Sequence, residues 1–176
     1  QSPKYAQIST SLIEHIAIEE LKKRDNFEES IKAVRTRLHQ VVGAFMTSHI
    51  DYAKWNTLFK DPSQNKPELC LRMMRLHAST AERLPFLESF YRTCLADIGP
   101  VHSILDLACG LNPLALPWIP TTHDCTYWAC DVVQPLLDFL NDFFANYPFA
   151  GQAFPCDLTT CIPDQKVQVA FLLKTL

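Results

Sequence analysis

Asp106 is placed to do chemistry. It stands near the end of an apolar run, Ser103-Ile104-Leu105-Asp106-Leu107, and a small-residue turn, Ala108-Cys109-Gly110, follows at once. This reads as a buried strand that delivers its carboxyl end to a ligand. Short side chains in the turn let a ligand approach the backbone closely. Asp106 can accept hydrogen bonds from that turn or from a cationic ligand group, but it would repel a phosphate. Dinucleotide sites use G-x-G-x-x-G, and only Gly110 is present here. A strand, an acid, a tight turn and no phosphate cradle suit S-adenosylmethionine, which carries no phosphate. An ordinary strand-to-helix turn is the plainer alternative.

Three further stretches carry candidate groups. Asp131 follows Asp106 by 25 residues and closes a second apolar run, where it is placed to bond both hydroxyls of an adenosine ribose. Asp157, after a third run, could meet an adenine amino group. In His77-Ala78-Ser79-Thr80-Ala81-Glu82-Arg83-Leu84, Ser79 and Glu82 have capping-box spacing, which would start a helix at Ser79. Pro85 then requires either a helix beginning near Leu84 or a separate turn over 79–83. This stretch is either a capped connector or a site where backbone N–H groups and Arg83 hold a carboxylate. Cys125/Cys130 and Cys156/Cys161 share a spacing that invites a zinc reading. Small buried hydrophobes explain them more simply, and no metal is expected.

The elements that must position these groups alternate only in the second half. Helical spacing predicts helices over Ile8–Lys23, Phe27–Met46 (with Ile31, Val34, Leu38, Val41, Val42 and Phe45 on one face), Ile50–Phe59 and Leu69–Leu76. Asp61 to Pro67 is loop chemistry and marks a subdomain break. Strands are expected at Val101–Leu107, Cys125–Cys130, Gly151–Pro155 and Val167–Leu173, with a helix over Pro135–Tyr147. The reading is a helical unit over 1–95 followed by an α/β unit over 96–176.

Hydrophobic residues make up 48% of the 176, enough for a core, and no apolar run approaches the ~20 residues that span a bilayer. The start, Gln1-Ser2-Pro3-Lys4, lacks a signal-peptide pattern, and seven cysteines without C-x-x-C spacing fit reduced thiols. A cytoplasmic location without a membrane partner is therefore expected. The net charge of −3 hides a split: residues 1–95 hold 14 basic against 11 acidic side chains, and 96–176 hold 2 against 8. Lys32 and Arg35 border one edge of the second helix's apolar stripe, and Arg37 borders the other. Nucleic-acid contact and a solvated helix face both remain open for them.

Three blocks carry a family resemblance: Arg35-Thr36-Arg37-Leu38-His39, Leu76 to Thr80 with Glu82-Arg83-Leu84, and Leu105 to Leu116. Together they resemble the aminoglycoside-resistance 16S ribosomal RNA methyltransferases, which modify N7 of a decoding-site guanine. The resemblance implies a Rossmann-like S-adenosylmethionine-dependent fold behind an all-helical RNA-binding module, with 16S rRNA in the 30S subunit as partner. It implies that His77, Ala78, Ser79 and Arg83 line the methionine end and Ala108, Cys109 and Gly110 the cofactor turn. Asp131 would bind the ribose, Asp157 and Leu158 would flank adenine, and Leu173 and Lys174 would lie near the transfer face. Lys32, Arg35 and Arg37 would contact RNA.

Pro85 and Trp118-Ile119-Pro120 depart from the family pattern. That family builds a seven-stranded sheet and four strands are found here, so a C-terminally truncated domain with impaired activity is expected. A methyltransferase of another RNA position or of a small molecule, and a non-catalytic ribosome-binding fragment, stay open as alternatives.

Overall fold

The protein is described from a computed structural model over residue 8 and residues 10–43 and 50–173. Phe45, Met46 and Lys174 lie outside the described residues, as do the side chains of Val41 and Val42.

Two helices open the chain. In α1 (Thr10–Lys23), Leu12, Ile16 and Glu20 recur every four residues and share one buried face. Asn26 starts α2 (Phe27–Gly43), its side chain accepting from the N–H groups of Glu28 at 2.9 Å and Glu29 at 3.3 Å. Ile8, Leu12, Ile16 and Leu38 form a small apolar cluster with Ile13, Val34 and Val132. Arg37 crosses between the helices to pair with Glu19 and, at 3.2 Å, with the buried Glu20.

Asp51 caps α3 (Tyr52–Lys60) and Asn65 caps α4 (Lys66–Met74), each through a side-chain oxygen on the N–H three residues on. The helix therefore begins inside the stretch expected to be loop up to Pro67, because proline is tolerated in a first turn. The Ser79 region is settled by the second alternative. A single turn, α5 (Ala78–Ala81), stands apart, followed by a 3-10 turn at Leu84–Phe86 and α6 (Leu87–Cys94). His77, not Ser79, occupies the cap position, with no side-chain capping bond.

Four parallel strands follow: β1 (Val101–Leu107), β2 (Thr121–Asp131), β3 (Ala150–Pro155) and β4 (Val169–Leu172), in spatial order β3-β2-β1-β4. The chain therefore moves outward from β1 to β3 and returns to β1's other side, which puts a switch point between β1 and β4. β2 begins four residues earlier than its apolar run, because Thr121 to Asp124 are polar. Its register slips between Val101 and Ser103, so that polar stretch is accommodated at an irregularity. Between β1 and β2 runs a 3-10 helix, Asn112–Trp118, where Pro113 sits in the first turn and Pro117 withholds an N–H that an α-helix needs. α7 (Gln134–Asn146) packs on β3, with the Phe144 ring seated over Gly151. A Cβ there would lie 2.3 Å from that ring.

The main core does not divide at residue 95. Phe59, Leu69, Met73, Met74, Leu87, Tyr91 and Leu95 belong to one cluster with Ile104, Tyr127, Leu140 and Phe171. Helices α3, α4 and α6 thus bury their apolar faces with the sheet, whereas the α1–α2 cluster is separate.

Candidate functional site

Strand ends and short turns converge around β1 and β2. β1 is buried at Val101 and over Ile104–Asp106, as the middle of a central parallel strand should be, and ends at the Ala108–Gly110 turn. Ala108 and Gly110 both adopt left-handed backbone, at φ 48° and 49°. Only glycine fits the second of these. A Cβ on Gly110 would lie 2.8 Å from His77 Cε1, so the His77 ring and the turn's backbone are in direct contact. Cys109 donates its N–H to the Cys130 carbonyl at 2.9 Å, and burial, with the nearby Asp131 and Asp106 charges, pushes its thiol up.

Asp131 closes the site on the β2 side. Its Oδ2 accepts from the Gly110 N–H at 3.0 Å, and its Oδ1 from Val132 at 2.7 Å and Val133 at 3.2 Å. Desolvation raises its pKa against these three bonds. The Asp131 carbonyl takes the Cys156 N–H at 3.1 Å, which brings the end of β3 alongside. There Asp157 Oδ1 accepts from the Thr159 N–H and hydroxyl at 3.0 and 2.7 Å, while its Oδ2 is buried without a hydrogen-bond partner. Leu158 next to it is partly buried.

At the opposite rim, the N–H groups of Thr80, Ala81, Glu82 and Arg83 are bonded within the α5 turn. Those four N–H groups are therefore not available to a carboxylate, and the Arg83 side chain remains as the candidate from this stretch. Its guanidinium is 8% exposed and donates to Ser79 Oγ at 3.1 Å and to Asn112 Oδ1 at 2.9 Å, while Nε is buried without a partner. Asp106 does not face the turn or a ligand. It is 1% exposed and accepts from Tyr127 at 2.6 Å and Asn112 at 3.0 Å. Burial pushes it up to about 7, opposed by those two bonds and by the Arg83 charge.

The structure thus brings His77, Ser79, Arg83, Cys109, Gly110, Asp131 and Asp157 onto one continuous rim. Leu173 packs against the main core. Lys32 and Arg35 are exposed on α2, while Arg37 is engaged with α1. Among the described residues no group of His, Cys, Asp and Glu is arranged to hold a metal. A surface groove of about 380 Å³ lined by Leu84, Phe86, Arg92 and Trp118 contains none of the candidate residues except the edge of their turn.

Sequence reasoning missed Asn112, Tyr91, Tyr127 and Tyr52. Asn112 stood inside the quoted motif, and Tyr127 was detectable as a phenol in mid-strand, two residues from Ala129, which pairs with Asp106. Tyr52, whose pKa is raised by burial and by the Asp131 charge, comes from a distant helix and left no local signal.

Two unpartnered buried atoms describe what the rim could hold. Arg83 Nε offers a donor with positive charge at one end, and Asp157 Oδ2 offers an acceptor at the other. Between them lies the Ala108–Gly110 turn, its left-handed backbone packed against the His77 ring.

The chain is 35% identical over 174 residues to the 16S rRNA (guanine(1405)-N(7))-methyltransferase of Micromonospora olivasterospora, covering 98% of this chain and 59% of that protein. Among solved structures it is similar to the 16S rRNA methylase RmtB, with a TM-score of 0.81, 27% identity, and coverage of 96% of this chain and 66% of the other. It is equally similar to 16S rRNA methyltransferase RmtF in complex with S-adenosyl-L-homocysteine: TM-score 0.80, 30% identity, 98% and 65% coverage. The ribosomal RNA methyltransferase (FmrO) family matches residues 1–176. With the family model matching residues 1–176 and the fold shared with these methylases, the chain belongs to the FmrO family of ribosomal RNA methyltransferases.

Proposed function

We propose that this protein transfers a methyl group from S-adenosylmethionine to N7 of a decoding-site guanine in 16S rRNA, within the 30S subunit, and so confers aminoglycoside resistance. In this reading a Rossmann-like S-adenosylmethionine-dependent domain follows a helical RNA-binding module, and the protein acts in the cytoplasm, where its substrate is.

The observation that carries the reading is the fit of the rim to the cofactor's two ends. Arg83 Nε is a buried donor without a partner, suited to the methionine carboxylate, and Asp157 Oδ2 is a buried acceptor without one, suited to the adenine amino group. Asp131 lies between them at the end of β2, where a ribose would present its hydroxyls. His77, Ala78 and Ser79 would line the methionine end with Arg83, Ala108 to Gly110 would pass under the sulfur, and Leu158 would cover adenine. Leu173 and Lys174 would border the transfer face.

When bound, the cofactor supplies a methyl group already activated on a sulfonium. Guanine N7 has a free lone pair and carries no proton, so no residue is needed as a general base. The chain's contribution is alignment, which can be worth up to ~7–11 kcal/mol of the barrier. Lys32 and Arg35 would contact phosphates from the exposed face of α2. Arg37 would hold α2 against α1, through Glu19 and Glu20, at the edge of that contact.

The test compares tritiated methyl transfer by the complete gene product into 30S subunits, naked 16S rRNA and small acceptors. Incorporation into 30S subunits that maps to an N7-methylguanine in the decoding site is the expected result. Transfer to small acceptors alone, or to another nucleotide, would overturn the assignment.

A further inference from the structure

We propose that Asn112 is the positioning residue of the cofactor site, holding the Arg83 guanidinium available for the ligand's carboxylate by standing between Arg83 and Asp106. This inference rests on the cofactor reading given above.

Asn112 is 1% exposed, and every polar atom of its side chain is used. Oδ1 accepts from Arg83 Nη2 at 2.9 Å and from the Tyr91 hydroxyl at 2.5 Å, and Nδ2 donates to Asp106 Oδ2 at 3.0 Å. Two donors face one end of the amide and a carboxylate faces the other, so only one orientation of the group satisfies all three. The amide therefore separates a buried cation from a buried carboxylate, and among the described residues Arg83 and Asp106 make no direct ion pair. Opposite charges this close in a poorly hydrated interior attract strongly. Without the amide, the Asp106 carboxylate is the nearest anion available to the guanidinium. An Arg83 turned toward Asp106 would carry its Nε away from the rim.

Ser79 Oγ holds Nη1 at 3.1 Å, and the Phe90 ring lies 5.8 Å from the guanidinium carbon. With Asn112 on Nη2, both terminal nitrogens are engaged, and Nε is the guanidinium nitrogen that has no partner. The rigid fork of the guanidinium then sets the direction in which Nε points. Asn112 touches no ligand itself; it acts through Arg83.

The experiment measures equilibrium binding of S-adenosylhomocysteine and of 5′-methylthioadenosine by calorimetry at about pH 8, above the titration of Asp106, where its carboxylate is ionised. The two share the adenosine and the sulfur, and only the first has the amino-carboxylate end. In the complete gene product, Asn112→Ala is expected to weaken S-adenosylhomocysteine roughly tenfold or more, the scale of one charged hydrogen bond. Binding of 5′-methylthioadenosine should stay within about twofold, because that ligand does not use Arg83. Adding Asp106→Asn to Asn112→Ala removes the competing anion, and most of the lost affinity should return.

Asn112→Leu keeps the bulk of the side chain and removes both ends of the amide. It should give the same selective loss, and it serves in place of the alanine variant if that one does not fold. Equal weakening of both ligands, or a double variant no better than Asn112→Ala, would show Asn112 to be only a structural support and overturn the inference. A wild-type protein that binds neither ligand would overturn the cofactor reading itself, and the inference with it.

Discussion

At the scale of single residues, the site is a set of buried polar groups, some of them satisfied by each other and some left for a ligand. Asp131 is held by three backbone N–H groups, yet its position at the end of β2 suits a ribose. Asp131→Ala is expected to cost about 1.5–3 kcal/mol of S-adenosylhomocysteine affinity, the range for hydrogen bonds to charged groups. Calorimetry checks this, with the melting temperature recorded alongside because the same change frees three N–H groups. Asp106 has a different signature. Its folded pKa, near 7, lies above the unfolded carboxylate value, so the native state binds the extra proton between about pH 4 and 7. Its contribution to stability is full below that window and is lost as pH rises through it. The groups around it are Tyr127, Tyr91, Arg83, Asp131 and Cys109. Asp106→Asn should flatten the fall in melting temperature between pH 5 and 7. An unchanged pH profile would mean that Asp106 is ionised throughout.

Among the elements, α2 carries Lys32, Arg35 and Arg37, and its two edges behave differently. Lys32 and Arg35 are exposed, while Arg37 is tied to Glu19 and Glu20 of α1. Replacing Lys32 and Arg35 with Gln should weaken 30S binding and lower the log–log salt slope by about one unit per lost phosphate contact. Cofactor affinity should stay unchanged. Arg37→Gln is expected to act chiefly by loosening α2 from α1, with a smaller change in the salt slope. A wild-type slope in the Lys32/Arg35 variant would reduce both to solvated surface.

For the whole molecule, the arrangement of two apolar clusters matters more than the boundary at residue 95. The α1–α2 cluster meets the rest at Val132, and Ile8 forms an antiparallel bridge with Val133. Those are the two residues whose N–H groups hold Asp131 Oδ1. Leu12→Ala, in the small cluster, should cost about 2–5 kcal/mol locally. Hydrogen exchange should then rise across α1, α2 and the amides of Val132 and Val133, while β1 and α7 keep their protection. Uniform acceleration across the sheet would mean that the two clusters unfold as one.

The sequence by itself determined the strands, the turn and the family blocks. β1 was legible to its last residue because a central parallel strand is apolar on both faces, and the Ala108–Gly110 turn announces itself by small side chains. The acids closing β2 and following β3 were equally readable, since strand ends fall where apolar runs stop. Only the tertiary structure decided which polar groups face a ligand and which face each other. Asp106 carries the same local signature as Asp131, yet Tyr127 from β2 and Asn112 from the following turn close over it. Ser79 looks like a helix cap but serves Arg83, because α5 ends after one turn and folds the guanidinium back onto it. Those outcomes depend on partners 4 to 29 residues away in the chain. Periodicity records which face of an element is apolar, but it carries no information about which distant side chain a buried polar atom will meet.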